Sequence, residues 1–515
     1  MPVDVYNRIK SKILPTYKFA FCFSVIFGFI AHFYRMTNWL PNWDSLVFRN
    51  DPQHMESLGR WFLPYASGIS SSYELPWLNG ILSILYISIA VVFICKTFDV
   101  KGRLTAALIG AVTVTFPTVI STFTYCYVAD AYSLAFLFSC IAVYLLTHKG
   151  LLATIPAVAL LLTLSLGIYQ AYITVAIALL MCSLLIRLVS GESTCKVSLK
   201  SASKYLVCGA LSLLLYYCIN SAVMALMHVE ASDYQNISGT FSFKEFDLIS
   251  AIISAYYVFF KFFFDFDGGF NLYSAVNIAV YAALFIGYAA LMVKSKRRIA
   301  ACLLSLAYIV LIPLGCTALY LANSGLDYHN LMKMSYFIAY IYLLLLLERL
   351  DFKAVLPQAV KAWTVTVLCL AVVFINTVTA NVAYHKLQIA FYRSYGMLVR
   401  ISDRIESLDS PETLKRILVV GSLCDSKGYS VNFPPDITGT TDGLIIRHDD
   451  ETVGQSVVAS ALNDYCDMSL EFVHGDEADA LKGTETVINM PCWPSDGSVA
   501  ALGDTVILKL GEEVR

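Results

Sequence analysis

Charged residues are scarce in this sequence. Lys, Arg, Asp and Glu make up 14% of the 515 residues and hydrophobic residues make up 58%, whereas soluble globular proteins carry about 25% charged residues. Length alone would suggest about three or four soluble domains, but the composition excludes them. We therefore predict a polytopic membrane protein.

Motifs of several common chemistries are absent as well. The sequence contains no CxxC zinc spacing, glycine-rich phosphate loop, Rossmann fingerprint or GxSxG elbow. These absences disfavour a structural zinc site, a nucleotide-binding domain and an α/β-hydrolase. Of the 14 cysteines, three lie in the polar tail, Cys424, Cys466 and Cys492. Two of these three could form one disulfide if the tail lies outside the cytosol, and one thiol would be left over.

Eleven apolar segments have the length of about 17 to 25 residues that a membrane-spanning helix needs. They are residues 18–34, 78–95, 104–122, 131–147, 151–167, 171–189, 205–227, 273–293, 299–321, 332–348 and 362–383. The first has the basic flank of a signal peptide, but no small-residue cleavage site follows it. We therefore expect a retained span.

The short loops predict the orientation, because Lys and Arg concentrate on the cytoplasmic side. A cytoplasmic N-terminus places 19 of the 25 basic residues in residues 1–383 inside. Residues 248–264 are apolar enough for a twelfth span, but a crossing there would move the basic run 294–298 outside. We expect an interfacial or re-entrant helix instead, within one long external loop, 228–272.

The tail, residues 384–515, differs from the body. It holds 11 basic and 21 acidic residues, which argues against binding nucleic acid or another anionic polymer. Apolar stretches near RILVVGSL, VVASALNDYC and TVILKL suggest strand, helix and strand. The predicted architecture is an α-helical membrane domain, residues 1–383, with about 11 transmembrane helices, followed by a small α/β domain outside the cytosol.

The first external loop, residues 35–77, combines charges with aromatic rings just beyond the bilayer. The relevant residues are Asp44, Asp51, Glu56, Glu74, Arg49, Arg60, Trp39, Trp43, Trp61 and Trp77. Carboxylates can act as bases, and arginines suit phosphate oxygens. An interfacial aromatic belt with solvated charges has the same composition, so composition alone leaves both readings open.

Three other links face the same side in this topology. The first link contains Tyr125 and Asp130, the second contains Tyr169, Gln170 and Tyr172, and the third contains Asp327, His329 and Lys333. A residue such as Asp130 can be a helix cap, and a single His at a helix end is usually an ordinary surface residue. Convergence of all three links with the first loop nevertheless predicts a site.

Several motifs resemble a known family. NWDSL, GRWF, GISSSYELPW, TYCYVADAYSLAF and SLGIYQAY are similar to the bacterial glucosyltransferases that include the serotype-converting O-antigen enzymes of the Gtr type. DYHNLMKMSY and MPCWPSDGS extend the similarity weakly. The resemblance implies a GT-C-like enzyme of the cytoplasmic membrane. Such enzymes move a sugar, here expected to be glucose, from polyprenyl phosphate to a surface polysaccharide on the outer side.

The resemblance also implies roles for these residues. GT-C enzymes take their base from the first external loop, where Asp44 is the best match and Asp51 the second. The leaving phosphate needs cations, and the candidates are Arg60, Arg49, Lys333 and His329. We expect sugar or acceptor contacts from Trp43, Trp61, Glu74, Tyr125, Asp130, Tyr169, Gln170 and Tyr172.

No cofactor is certain. Dependence on a divalent metal is an open alternative, because some GT-C relatives use one. The body, however, has no acidic cluster beyond the lone DxD of Asp265 and Asp267. The alternative function is a transporter or flippase of lipid-linked sugars. Such proteins place ionisable residues near the bilayer midplane, where this sequence has almost none.

Overall fold

A computed structural model describes residues 14–48, 53–148, 151–230, 247–265, 271–295, 298–323, 325–351, 355–423, 437–440 and 451–512. Arg49, Asp51, Asp267 and Cys424 lie outside these residues. The chain divides into two compact units. The first is Met1–Met36, Pro52–Phe123 and Val128–Ala380, and the second is Thr37–Asp51, Thr124–Tyr127 and Asn381–Arg515.

Helices make up most of residues 15–406. They are α1 (Pro15–Thr37), α2 (Trp43–Phe48), α3 (Leu63–Ser67), α4 (Pro76–Thr97), α5 (Arg103–Val114), α6 (Pro117–Thr124), α7 (Cys126–His148), α8 (Leu151–Ile168), α9 (Ile173–Ser190), α10 (Cys195–Met227), α11 (Leu248–Phe263), α12 (Leu272–Ser295), α13 (Ile299–Cys316), α14 (Ile338–Arg349) and α15 (Val355–Glu406). Short 3-10 turns lie between them at Glu56–Leu58, Gly68–Ser70, Gln170–Tyr172, Ala318–Leu321, Asn330–Met332 and Met334–Phe337.

Among the described residues, eight helices are long and apolar enough to cross a membrane, or nine if the pair α5 and α6 forms one bent span. Apolar helices at 154–168 and 334–346 are shorter, as is α11 with 16 residues. All eleven predicted segments overlap helices, and the long apolar helices indicate membrane insertion. The count of eleven spans stays a prediction.

Local sequence sets the ends of these helices. Pro76 occupies the first turn of α4, where its missing N–H is not needed, and the Asp247 carboxylate accepts hydrogen bonds from the first amides of α11. Between α5 and α6 the axis bends by 42°. Pro117 follows the break, because a proline ring disfavours helical geometry in the residue before it.

The second unit contains a four-stranded sheet. Its strands are β1 (Arg416–Val420), β2 (Glu471–Phe472), β3 (Val499–Leu502) and β4 (Thr505–Lys509), with α16 (Glu451–Cys466), α17 (Gly475–Lys482) and α18 (Glu485–Asn489) between them. Among the described strands the order is β2-β1-β4-β3; β1 pairs in parallel with β2 and β4, and β3 pairs antiparallel with β4. β1, α16 and β4 therefore occupy the three stretches that the sequence predicts as strand, helix and strand.

Both faces of the central strands are covered, as parallel strands require. Ile417 and Val419 point into one cluster with α15 and α16, whereas Leu418 and Val420 point into another with α17 and α18. Leu46 of α2 belongs to the first cluster. Part of the first external loop is thus built into the core of the second unit.

Cys466 and Cys492 are both free thiols in this unit. The segment after Cys492 is held by Arg404 of α15, whose guanidinium lies 4.6 Å from the Trp493 ring centroid and donates to the carbonyls of Pro494 and Ser495. The weakly similar motif MPCWPSDGS therefore has a packing role.

Gly421, directly after β1, packs closely against the backbone of Gly511 after β4, and a substitution can test this contact. Its φ is +68°, and an added Cβ would lie 2.1 Å from the Gly511 carbonyl oxygen. We expect Gly421→Ala to make residues 381–512 more sensitive to limited proteolysis in membranes, because both the backbone angle and the contact are unfavourable. Gly475→Ala is the control, since Gly475 has a φ of +66° but open space around it. Equal sensitivity of the two variants would contradict a role for the close contact.

Candidate functional site

A buried ion pair anchors the first external loop to the first unit. Arg35, at the end of α1, donates to Glu74 Oε1 at 3.0 Å and to the Phe123 carbonyl at 3.0 Å. The exposed fractions of the two side chains are 0% and 1%. Glu74, predicted as a sugar contact, is thus paired with Arg35 inside the first unit.

Asp130 lies in a second buried polar group. Its Oδ1 accepts a hydrogen bond from Asn79 Nδ2 at 3.0 Å, and the same amide donates to Ser70 Oγ at 3.0 Å. Asn79 also accepts the backbone N–H of Leu75 through Oδ1. The group ties α7 to the start of α4 and to the loop before it.

Arg60 is the centre of the candidate site. Its guanidinium lies 4.7 Å from the centroid of the Tyr169 ring and donates from Nη1 to Tyr132 Oη at 3.3 Å. The Tyr132 and Tyr169 rings stack with centroids 4.7 Å apart. A cation on a tyrosine face is held by the ring quadrupole, so α7 and the link before α9 both position this arginine. Tyr172 packs edge-on against Tyr132 and is itself buried.

The side chains of Gln170 and Tyr216 pack tightly against the backbone beside Arg60. Gly59 has a φ of +74°, and an added Cβ would lie 2.3 Å from Tyr216 Oη and 2.9 Å from Gln170 Nε2. Gln170 donates to the Leu58 carbonyl at 2.7 Å, and Tyr216 donates to the Gly59 carbonyl at 2.9 Å. Glycine is therefore required at this position, one residue before Arg60.

Trp61 follows Arg60 but faces the interior. It is buried, and its ring covers Gly167 so closely that a Cβ there would lie 2.8 Å from two ring atoms. The next residue, Phe62, donates its N–H to the Gly167 carbonyl at 2.8 Å. These contacts hold the GRWF segment against the end of α8.

His329 and Lys333 join Arg60 from the segment before α14. Burial lowers the pKa of His329 to about 4, Asp327 raises it, and the positive charges of Arg60 and Lys333 lower it. Lys333 bonds to Asn330 Oδ1 at 3.3 Å, and its Nζ lies 6.0 Å from the Phe262 ring centroid. We call Arg60, His329 and Lys333 the cationic cluster, although His329 itself is neutral near pH 7.

One more titratable pair lies beside this cluster. His54 Nδ1 is 2.9 Å from Glu56 Oε1, and the Glu56 side chain is buried whereas the imidazole is exposed. Between them in sequence, Met55 accepts from Arg60 Nη1 through its sulfur at 3.3 Å. A carboxylate that orients an exposed imidazole is an arrangement used in acid–base chemistry. Sequence reasoning named Glu56 but did not pair it with His54.

The remaining predicted residues belong to the second unit. Asp44 lies in the first turn of α2 and is partly exposed, and Asn42 Oδ1 accepts the N–H of Ser45 in the same turn at 3.1 Å. Tyr125 packs against Tyr127 with centroids 6.5 Å apart. Trp43 lies in α2, but its side chain is outside the described set.

The first unit thus brings together residues from separate links around Arg60. Two positive charges and a neutral imidazole suit the oxygens of a phosphate group, while the two tyrosine rings hold Arg60 in place. Within the described ranges, no three His, Cys, Asp or Glu side chains come close enough to hold a metal ion. Tyr132 could have been found from the motif TYCYVADAY, whereas Tyr216 stands in a long apolar run without any signal.

A family model described as glucosyl transferase GtrII matches residues 33–347. This range includes Asp44, the cationic cluster, the His54–Glu56 pair and both buried polar groups. The chain has no significant match among curated protein sequences or solved structures.

The lowered pKa of His329 makes a prediction about stability. A histidine in an unfolded chain has a pKa of about 6.5, whereas that of His329 in the folded chain is about 4. Between these pH values the unfolded chain binds a proton that the folded chain does not. We expect the melting temperature of the wild type in detergent to fall, relative to His329→Gln, as the pH drops through this range. His385→Gln, at an exposed position, serves as the control. Parallel curves for the wild type and His329→Gln would contradict a neutral His329.

Proposed function

The chain belongs to the GtrII glucosyltransferase family, and from this premise we propose that it transfers glucose from a polyprenyl-phosphate donor to a surface polysaccharide such as O-antigen. The reaction takes place on the outer side of the bacterial cytoplasmic membrane, and the second unit also lies on that side. The family match supports glucosyl transfer, while the donor lipid, the acceptor and the orientation are our proposals.

The observation that carries the donor assignment is the cationic cluster. A polyprenyl-phosphate sugar loses a lipid phosphate when its anomeric carbon is attacked, and negative charge develops on the phosphate oxygens. Fixed positive groups stabilise that charge more than they stabilise the bound donor. Arg60 is held by Tyr132 and Tyr169, so its guanidinium needs little reorganisation to meet a phosphate group.

Bond changes in this reaction are simple. The acceptor hydroxyl oxygen forms a bond to the anomeric carbon, the bond between that carbon and the phosphate oxygen breaks, and the hydroxyl proton passes to a base. A sugar hydroxyl is a weak acid, so a positioned base accelerates the step by about 10²–10⁴-fold. The phosphate leaves as a lipid monophosphate that stays in the membrane.

The base has two candidate sources, a carboxylate of the first external loop or the His54–Glu56 pair. The sequence resemblance favours Asp44, with Asp51 next, while the first unit contributes the His54–Glu56 pair close to Arg60 in sequence and through Met55. In the second case His54 takes the proton and Glu56 stabilises the imidazolium that forms. We rank Asp44 first, because carboxylate bases from this loop are typical of GT-C enzymes.

Arg60 provides the test of the proposed function. We expect Arg60→Gln to reduce transfer of radiolabelled glucose from polyprenyl-phosphate glucose to native polysaccharide by about 10²–10³-fold. Arg60→Lys keeps the charge but loses the planar fork, so an intermediate loss is expected. Arg103→Gln, an exposed arginine at the start of α5, is the control at matched expression. Movement of the lipid-linked sugar across the membrane without any transfer would instead favour a flippase.

The base is tested separately in the same assay. Asp44→Asn should lower transfer by about 10²-fold or more, with donor binding unchanged, while Asp409→Asn, an exposed carboxylate of the second unit, should transfer normally. Full activity of Asp44→Asn would exclude it as the base. Loss of activity in His54→Gln would then identify the His54–Glu56 pair, whereas normal activity of both variants would move the search to Asp51.

A further inference from the structure

The short helix α2, Trp43–Phe48, carries the proposed base Asp44 but cannot hold its conformation alone. Isolated helices shorter than about 12–15 residues are marginal in water, so contacts outside α2 must decide where the Asp44 carboxylate lies. The later part of α2 is anchored by Leu46, which packs in the core of the second unit. The end that carries Asp44 needs an anchor of its own.

Asn42 supplies this anchor with both halves of its side-chain amide. Its Oδ1 accepts the N–H of Ser45 at 3.1 Å, and its own N–H donates to Ser45 Oγ at 3.3 Å, which makes a reciprocal cap at the start of α2. Its Nδ2 donates to the carbonyl of Thr124 at 3.1 Å. All three residues are buried. The start of α2 is therefore fixed by a hydrogen bond to Thr124.

Thr124 is held in turn by a segment of the tail. Its Oγ1 donates to the Thr438 carbonyl at 2.8 Å, although the two residues are 314 positions apart in the sequence. Thr438 is the second residue of a β-turn over residues 437–440, which the Thr440 N–H closes by donating to the Ile437 carbonyl at 3.1 Å. We call this segment the 437–440 turn. It is joined to the start of α2 through Thr124.

Gly439, the third residue of the 437–440 turn, brings the tail directly against Asn42. Its φ is +86°, a value that glycine adopts without strain and that some β-turns require at this position. An added Cβ would lie 2.6 Å from Thr124 Oγ1, 2.9 Å from Tyr125 Cε2 and 3.1 Å from Asn42 Nδ2. Tyr125 is the residue that the family resemblance suggests as a sugar or acceptor contact. The turn therefore packs against supports of two expected site residues.

The 437–440 turn is braced and buried, yet it is not part of the core of the sheet. Thr440 Oγ1 donates back to the Ile437 carbonyl at 2.7 Å, and the exposed fractions of Ile437 and Thr440 are 4% and 0%. Neither residue belongs to the two apolar clusters described on the faces of the sheet. Within the part of the chain that the structure describes, this turn packs against Asn42, Thr124 and Tyr125.

We infer that the 437–440 turn is a positioning element for Asp44, which acts through Thr124 and Asn42 on the end of α2 that carries this carboxylate. The inference rests on the proposed function, because it concerns the base of the same reaction. It assigns a role to Gly439 and Thr124, which touch neither the donor nor the acceptor. The loop that carries the base is then held in its working geometry by the last third of the chain.

Hydrogen–deuterium exchange of the purified full chain tests this anchor without requiring transfer. We expect Gly439→Ala to speed exchange of the α2 amides by about tenfold or more, because the added methyl group displaces the turn from the Asn42 amide. Gly503→Ala is the matched control, since Gly503 has a φ of +65° but no atom within 4 Å of an added Cβ. Unchanged α2 exchange in Gly439→Ala, or an equal rise in both variants, would overturn the inference.

A second pair of variants changes one hydrogen bond at nearly constant shape. Thr124→Val cannot donate to the Thr438 carbonyl, whereas Thr124→Ser keeps the hydroxyl. At matched amounts of folded protein we expect kcat for glucose transfer to fall by about 10–10²-fold in Thr124→Val, because a small displacement of a reacting group is costly. KM for donor and acceptor should stay within about twofold, and Thr124→Ser should restore most of kcat. A rise in KM alone, or equal losses in both variants, would contradict the positioning role.

A double-mutant cycle shows whether the turn acts through Asp44. Thr124→Val should have little further effect on kcat in the Asp44→Asn background, because the group that Thr124 positions is already absent. If the two losses instead multiply, the turn acts on some other group and the inference fails. The same result follows if Asp44→Asn is fully active while Thr124→Val is not.

Failure of this inference and failure of the proposed function give different results. If Gly439→Ala selectively loosens α2 but the wild type transfers no glucose, the anchor stands and the proposed function fails. If the wild type transfers glucose and both Gly439→Ala and Thr124→Val match its kcat, the function stands and the positioning role fails. Faster α2 exchange together with a lower kcat and an unchanged KM would support both.

Discussion

The buried Arg35–Glu74 ion pair is the contact on which the end of α1 and the loop before α4 depend. Arg35 precedes the point where the chain first leaves this unit, and it also donates to the carbonyl of Phe123, the last residue before the second departure. Removing either partner would leave an uncompensated charge in an apolar surrounding. The Arg35 guanidinium therefore holds together the two segments at which the chain leaves the first unit, and it also holds the loop that carries Glu74.

Positioning around Arg60 follows the same principle with different groups. Tyr132 and Tyr169 hold its side chain, while Gln170 and Tyr216 hold the backbone at Gly59. Burial keeps the imidazole of His329 neutral by lowering its pKa, and the positive charges of Arg60 and Lys333 lower that pKa further. A phosphate ligand would therefore meet two cationic side chains and one neutral imidazole.

Much of this arrangement could be predicted from the sequence, because membrane insertion restricts what each segment can do. Hydrophobic runs predicted the helices, and the distribution of Lys and Arg predicted one common side for the links that carry Tyr169 and His329. In the structure both residues interact with Arg60. The number of spans was less predictable, since the apolar helices at 154–168 and 334–346 fall short of the usual length. Tyr216 could not be predicted at all, because a tyrosine in an apolar helix shows no signal of the backbone carbonyl that it meets. The grouping of residues 37–51 with the tail was equally hidden, since its packing partners are hundreds of residues away.

That grouping has a consequence for synthesis. Leu46 of α2 packs in a core whose other members begin at Met397, so about 350 residues separate α2 from its partners. At a translation rate of about 5–20 residues per second, roughly 20 to 70 s pass between the emergence of α2 and that of its core. During this interval the segment carrying Asp44 must remain soluble and protected from proteases without its final contacts, and the ribosome completes the core only in the last quarter of the chain.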